Sequence, residues 1–244
     1  LSAHFIKKQN QFKLIKTRFL LHTVADFCKL GISSFVNELS TGAVIMIFNF
    51  LFLGLGGNTA VAAYGIVANV ALFAVSIFTG IAQGIQPLVS DYYGKSMTGQ
   101  LKAVLKDAVV VALVLTAAIV AFSNLFNDGI VALFNKSGDP LLQSIAKEGI
   151  TIYFLGFFPG SLNIVLAGYL SAMEKAEKGF IISLLRGLVI IAPSAWLLSR
   201  FFGMTGVWTA IPVTETITLL AALLMLKKTI YPPLSSSETP QLPV

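Results

Sequence analysis

The stretch Gly31–Gly54, GISSFVNELSTGAVIMIFNFLFLG, is an apolar run with one charge, Glu38, set inside it. A buried core helix rarely runs this far, whereas about 20 residues are needed to cross about 30 Å of hydrocarbon. The stretch therefore reads as a membrane helix that carries an acid. An ionised carboxylate at membrane depth costs roughly 2.5 to 3.5 kcal/mol on insertion scales, so it faces a protein interior, a water path or a partner group.

Similar runs recur along the chain. Of its 244 residues, 56% are hydrophobic and 11% charged, and the mean hydropathy is +0.83. A soluble domain carries about a quarter charged residues, so the reading is an all-α polytopic membrane protein. The net charge of +6 raises a nucleic-acid reading. Its cations are scattered over short segments between apolar runs and make no continuous basic face, so no nucleic-acid partner is expected. The lone Cys28 offers neither a disulfide framework nor metal spacing. No phosphate loop, histidine cluster or nucleophile and base pair is present, so the reading is not an enzyme, and no cofactor is expected. The opening LSAHFIKKQNQFKLIKTRFL shows no small-residue cleavage site after a short apolar segment, and it reads as neither a signal peptide nor a natural start.

Six spans are expected, at about 31–54, 59–90, 104–126, 149–173, 179–199 and 205–226, within a six-helix lobe covering 31–228. Residues 1–30 read as a basic amphipathic linker, through Lys7, Lys8, Lys13, Lys16, Arg18 and Lys29, and 229–244 as a polar, proline-rich, disordered tail. The polar connection 127–147 is expected to be the longest internal loop, with 130–134 dipping to the interface. An even number of spans puts both chain ends on one side. That side holds thirteen Lys and Arg residues against Lys136, Lys147 and Arg200 on the other. The positive-inside rule makes both ends cytoplasmic, in a cell (plasma or inner) membrane.

The candidate site residues follow from polar groups inside these spans. Glu38 shares a helix face with Gly42, Ile45 and Asn49, and with Asn37 it forms a candidate ion-coupling or substrate cavity. The alternative is a carboxylate satisfied by Ser34 and Thr41 for packing alone. Arg186 and Glu215 are expected to form an intramembrane ion pair, with a place in the transport path as the second reading. The length of the second span implies tilt, or a kink near Gly80, Gly84 and Pro87, and Gln83 and Gln86 beside them have helix packing or substrate contact as their alternatives. Pro159, between Gly156 and Gly160, predicts a bend at mid-depth, and Pro193 interrupts the fifth span. Energy for any transport would come from an ion gradient or a partner ATPase, and the buried acid favours the gradient.

With those residues in view, the chain resembles the carboxy-terminal half of the multidrug and toxic compound extrusion family, within the multidrug/oligosaccharidyl-lipid/polysaccharide exporter superfamily. GIAQGIQPLVSDYYG at 80–94 is similar to the glycine and glutamine-rich stretch ending the family's eighth helix. NKSGDP at 135–140 resembles the loop before the tenth, and SLLRGLVIIAPSAWLLSRFFGMTGVWTAIPVTE at 183–215 the last two helices. The resemblance covers about 31–226. It implies twelve helices in two lobes around a cavity, with this chain as the second lobe. It also implies efflux of organic, cationic or amphipathic compounds in exchange for Na+ or H+, with Glu38 in coupling or cation recognition. The implied partners are the bilayer, small organic substrates, and either the missing amino-terminal lobe or a second copy. Because Ser171 stands where the family often has glutamine, 168–179 receives no substrate role. A lipid-linked oligosaccharide or polysaccharide flippase and a non-transporting membrane scaffold are the alternatives.

Overall fold

The computed structural model describes residues 21–230, with side chains at 39 and 42–227. The basic opening 1–20, the tail beyond Ile230, and the side chains of Asn37 and Glu38 lie outside the described residues. The chain divides into two compact units, 1–35 and 36–244. Residues 21–35, the described part of the first, are helical. The second is a bundle of helices, and among the described residues there is no strand.

In chain order the elements are α1 (Leu21–Gly94), α2 (Thr98–Leu125), α3 (Asn127–Phe134), α4 (Pro140–Leu155), α5 (Phe157–Ala172) and α6 (Ala176–Leu184). A π-helical turn (Leu185–Val189) and α7 (Ile191–Ile230) complete the chain. Among the described residues three helices are long and apolar enough to cross a membrane, or four if the bent pair α4 and α5 counts as one span. Two of the three, 53 and 52 residues long, would each reach roughly 80 Å if straight, far beyond a bilayer's apolar depth of about 30 Å. Both turn back instead.

The turning points are glycines. Within α1 the backbone leaves helical geometry at Gly56 and Gly57, the latter at φ 62° and ψ −154°, a region essentially closed to residues with a Cβ. Phe52 and Tyr64 would stand about 18 Å apart on a straight helix, yet their rings stack at 5.4 Å. In α7 Gly203, at φ 58° and ψ −135°, makes the second reversal. Counting each arm, six apolar segments result, in keeping with the all-α polytopic reading.

Some boundaries differ from the sequence expectation. The loop expected over 127–147 is mostly helix, because Asp139 accepts hydrogen bonds from the backbone N–H groups of Leu141 and Leu142 and Pro140 occupies the first turn. These are an N-cap and a preset φ, so α4 begins at 140 and not at 149. Likewise α2 begins at Thr98 and not at 104. The kink expected at Pro87 is no break: the helix continues through it to Gly94. Pro87 costs only the bond to the Gln83 carbonyl, on an exposed face near the helix end. The 48° bend between α4 and α5 lies at Gly156, three residues before Pro159. Ahead of Pro193 the chain changes geometry through the π-turn, where Ile190 N–H donates to Leu185 O over 3.0 Å.

The core joins both arms of α1 to α4, α5 and α7. Trp208 is fully buried, with its ring 4.3 Å from that of Phe52. Gly149 admits it, since a Cβ there would lie 2.7 Å from the indole. Lipid tails are as apolar as these side chains, so close van der Waals packing against small residues, not water exclusion, holds such helices together.

Candidate functional site

Two polar assemblies stand out, one inside the bundle and one on its surface. Inside, Arg186 lies in the π-turn between α6 and α7, and Glu215 lies on the second arm of α7. The 29 residues between them would span about 43 Å as straight helix. The reversal at Gly203 brings them into contact. Arg186 Nε donates to Glu215 Oε1 at 3.0 Å and Oε2 at 3.2 Å, and Nη2 donates to Oε1. Their side chains retain only 24% and 10% of their accessible surface.

A third group completes this arrangement. Asn163 on α5, itself fully buried, donates through Nδ2 to Glu215 Oε2 and to the Glu215 backbone carbonyl, both at 2.8 Å. The carboxylate thus receives a two-pronged guanidinium and an amide, which offset the cost of holding charge in an apolar medium. Gly160 leaves the room: a Cβ there would sit 3.3 Å from Glu215 Cδ. Two residues before Asn163, Ser161 Oγ accepts a hydrogen bond from Thr116 Oγ1 at 3.0 Å, also buried, linking α2 to α5. The network fastens α5, the π-turn and α7.

On the surface, the second arm of α1 leaves Gly80, Gln83, Gly84, Gln86 and Pro87 exposed. Apart from the local helix backbone and adjacent residues, nothing lies within 4 Å of where a Cβ on Gly80 or Gly84 would stand. The small and amide-bearing side of this cluster faces outward, because Phe78, Ala82 and Val89 take the inward positions. Gln83, Gln86, Pro87 and Ser90 line an open cavity of about 440 Å3, together with Ser171, Ala172 and Glu174. The structure thus puts Ser171, set aside in the sequence reading, beside both glutamines.

Asn49, expected to share a cavity with Glu38, spends its amide on its own helix, donating to Ile45 O at 2.9 Å. Three features escaped sequence reasoning. Asn163 is a single amide within the expected fourth span, and its partner is 52 positions away. The π-turn was signalled only by Arg-Gly four residues before the Ile-Ala-Pro run. Glu174 falls in the short gap between the expected fourth and fifth spans. No group of three or more metal-ligating side chains occurs among the described residues.

Comparisons with known proteins bear on this geometry. A family model described as MatE matches residues 33–197. The chain is 25% identical over 224 residues to the multidrug export protein MepA of Staphylococcus saprophyticus, covering 91% of this chain and 49% of that protein. It is 28% identical over 204 residues to MepA of Staphylococcus aureus, covering 83% and 44%. Among solved structures, an outward-facing multidrug resistance transporter of the same fold superposes with a TM-score of 0.83 at 19% identity, over 93% of this chain and 52% of that one. An inward-facing form superposes with a TM-score of 0.82 at 17% identity, over 93% and 53%. The chain spans about half the length of the curated relatives it matches.

Proposed function

Because this chain belongs to the MatE family, we propose that it supplies the second six-helix lobe of a secondary transporter exporting organic, cationic or amphipathic compounds in exchange for Na+ or H+. Its counterpart is an amino-terminal lobe or a second copy, since alternating access needs two bodies rocking around a shared site. The observation that carries this reading is the match of nearly the whole chain to about half of such exporters. It is supported by the polar face of Gln83, Gln86, Ser90 and Ser171, which the lobe leaves uncovered. That face borders the substrate path, in a cell membrane, with both ends of this chain in the cytoplasm.

Glu38 couples the gradient. It is the one acid within the 31–54 span, and a lone membrane carboxylate needs a proton, a cation or a partner. Arg186 and Glu215 neutralise each other and form a structural bolt outside the path. The protein works as a transporter and not as an enzyme, with the coupling ion in place of any cofactor.

Efflux of a fluorescent organic cation from proteoliposomes, driven by an imposed Na+ or proton gradient, tests this with the complete protein and its Glu38→Gln variant. Gradient-dependent efflux by the parent and its loss in the variant are expected. Efflux that survives the substitution removes Glu38 from coupling. If neither well-folded form exports the cation, the flippase and scaffold readings gain.

A further inference from the structure

The cavity on the glutamine face holds a negative charge and several acceptors but no positive charge. It measures about 440 Å3, its polar lining is Gln83, Gln86, Ser90, Ser171 and Glu174, and no lysine, arginine or aromatic ring stands in its wall. Glu174 also borders a second cavity, of about 490 Å3, where Lys102 supplies a cation and Tyr93 and Tyr169 supply rings. A cation that comes to Glu174 therefore meets a positive side chain on that side and none on the glutamine side.

The polar groups of the glutamine side can all accept hydrogen bonds. Ser171 Oγ donates its proton to Ala167 O at 2.8 Å, so toward a ligand its oxygen offers lone pairs only. Each glutamine brings a carbonyl oxygen, Ser90 a hydroxyl, and an ionised Glu174 carboxylate only accepts. Among the described residues Glu174 has no hydrogen-bond or ion-pair partner, and Lys175, its neighbour in sequence, lines neither cavity. Its backbone is unusual as well. Lys175 N–H donates to Leu170 O at 3.1 Å, which closes the end of α5 as a Schellman turn with Glu174 at its left-handed position, φ 59°. Glycine is the usual occupant there, and another residue held in that geometry is a cost that often accompanies function.

We propose that the glutamine-side cavity binds organic cations that carry N–H donors, such as amidinium and protonated amine groups, with Glu174 as their charge partner, and that it discriminates against quaternary cations. An amidinium presents paired N–H groups to a carboxylate and its other N–H groups to amide and hydroxyl oxygens. A quaternary ammonium has no N–H to give and is held by aromatic faces, which this wall lacks. The binding chemistry stands on the cavity itself. Its place in transport rests on the reading of this face as the border of the substrate path, where Glu174 becomes a specificity-determining residue.

The test is isothermal titration calorimetry of the complete protein in phosphatidylcholine nanodiscs, without an ion gradient, against three ligands of like size: benzamidine, benzyltrimethylammonium and neutral benzamide. Benzamidine should bind about fivefold more tightly than either of the others, the upper value for an ion pair open to solvent. Glu174→Gln and Glu174→Gly should each bring it down to the benzamide level. The glycine variant should melt no lower than the parent, because glycine suits the left-handed position. Gln83→Leu should also weaken benzamidine, whereas Thr98→Val, in the second cavity, should not. Absence of benzamidine binding, equal binding of benzamidine and benzyltrimethylammonium, or an affinity that survives both Glu174 substitutions overturns the proposal. So does loss in Thr98→Val without loss in Gln83→Leu, which would place the ligand beside Lys102. A protein that binds benzamidine as expected yet exports no cation under an imposed gradient upholds this chemistry and removes the transport reading. One that exports cations while both Glu174 variants bind benzamidine like the parent does the reverse.

Discussion

Arg186 and Glu215 hold opposite charges inside an apolar bundle, and each is tolerable only because of the other. Removing one partner leaves an uncompensated buried charge, which costs about 3 to 5 kcal/mol, whereas exchanging both for apolar residues of similar volume is often neutral. Arg186→Ala should therefore lower the thermal unfolding midpoint in detergent markedly, and Arg186→Met with Glu215→Leu should recover most of the loss. If the single and double variants melt alike, the pair does not act as a bolt. Asp128 lies outside the spans, and Lys147 Nζ of α4 comes within 2.7 Å of its Oδ1. That hydrogen bond and charge, with a weaker contribution from Gln143, hold the Asp128 carboxyl below the usual aspartate range. A depressed carboxyl stabilises the fold above the ordinary aspartate pKa and loses that contribution as pH falls through its own lowered value. Lys147→Met should return the Asp128 titration, followed by carboxyl-labelled NMR, towards the ordinary value; an unmoved titration would separate the two residues. Both charges of the inner pair were visible in sequence as lone ions in apolar runs. Asn163 was not, because a buried amide's partner is chosen by helix packing.

At the scale of elements, the two long helices depend on glycines that reverse them. Gly57→Ala forces a Cβ into a backbone region that excludes it, at a cost on the order of 1 to 3 kcal/mol. Gly54→Ala, three residues earlier on regular helix with nothing within 4 Å of the new methyl, should be neutral or slightly stabilising. Thermal melts of the two variants should separate by several degrees, and identical melts would mean that the reversal does not need glycine. The reversals at Gly57 and Gly203 fall in the gaps left between expected spans, after 54 and after 199, because apolar run length is a local signal. The early start of α4 had its own local signal, Asp139-Pro140, outweighed in the reading by the polarity of 135–148. Polarity marks where a chain meets water, and helices continue into water when capped.

For the molecule as a whole, the informative surface is the one left bare. Large apolar side chains such as Phe50, Phe73 and Phe201 are exposed, as lipid-facing groups should be, but the side carrying Gly80, Gln83, Gly84 and Gln86 is small and polar. Lipid does not satisfy amides, so this side faces water or a second body. Gln83→Cys in an otherwise cysteine-free complete protein should react with a membrane-impermeant maleimide and be protected by a saturating transported cation. Reaction with lipid-soluble reagents alone would assign the side to the bilayer.

Local composition was enough to declare a membrane protein of helices, to count its apolar runs and to pick out the charges inside them, because crossing hydrocarbon imposes run length and polarity on every segment separately. Only the tertiary structure decided that Arg186 meets Glu215 and Asn163 and that the glutamine face turns outward beside Ser171. Each of those depends on how helices distant in sequence rotate and approach, and rotation about a helix axis is set by packing against neighbours that no single segment encodes.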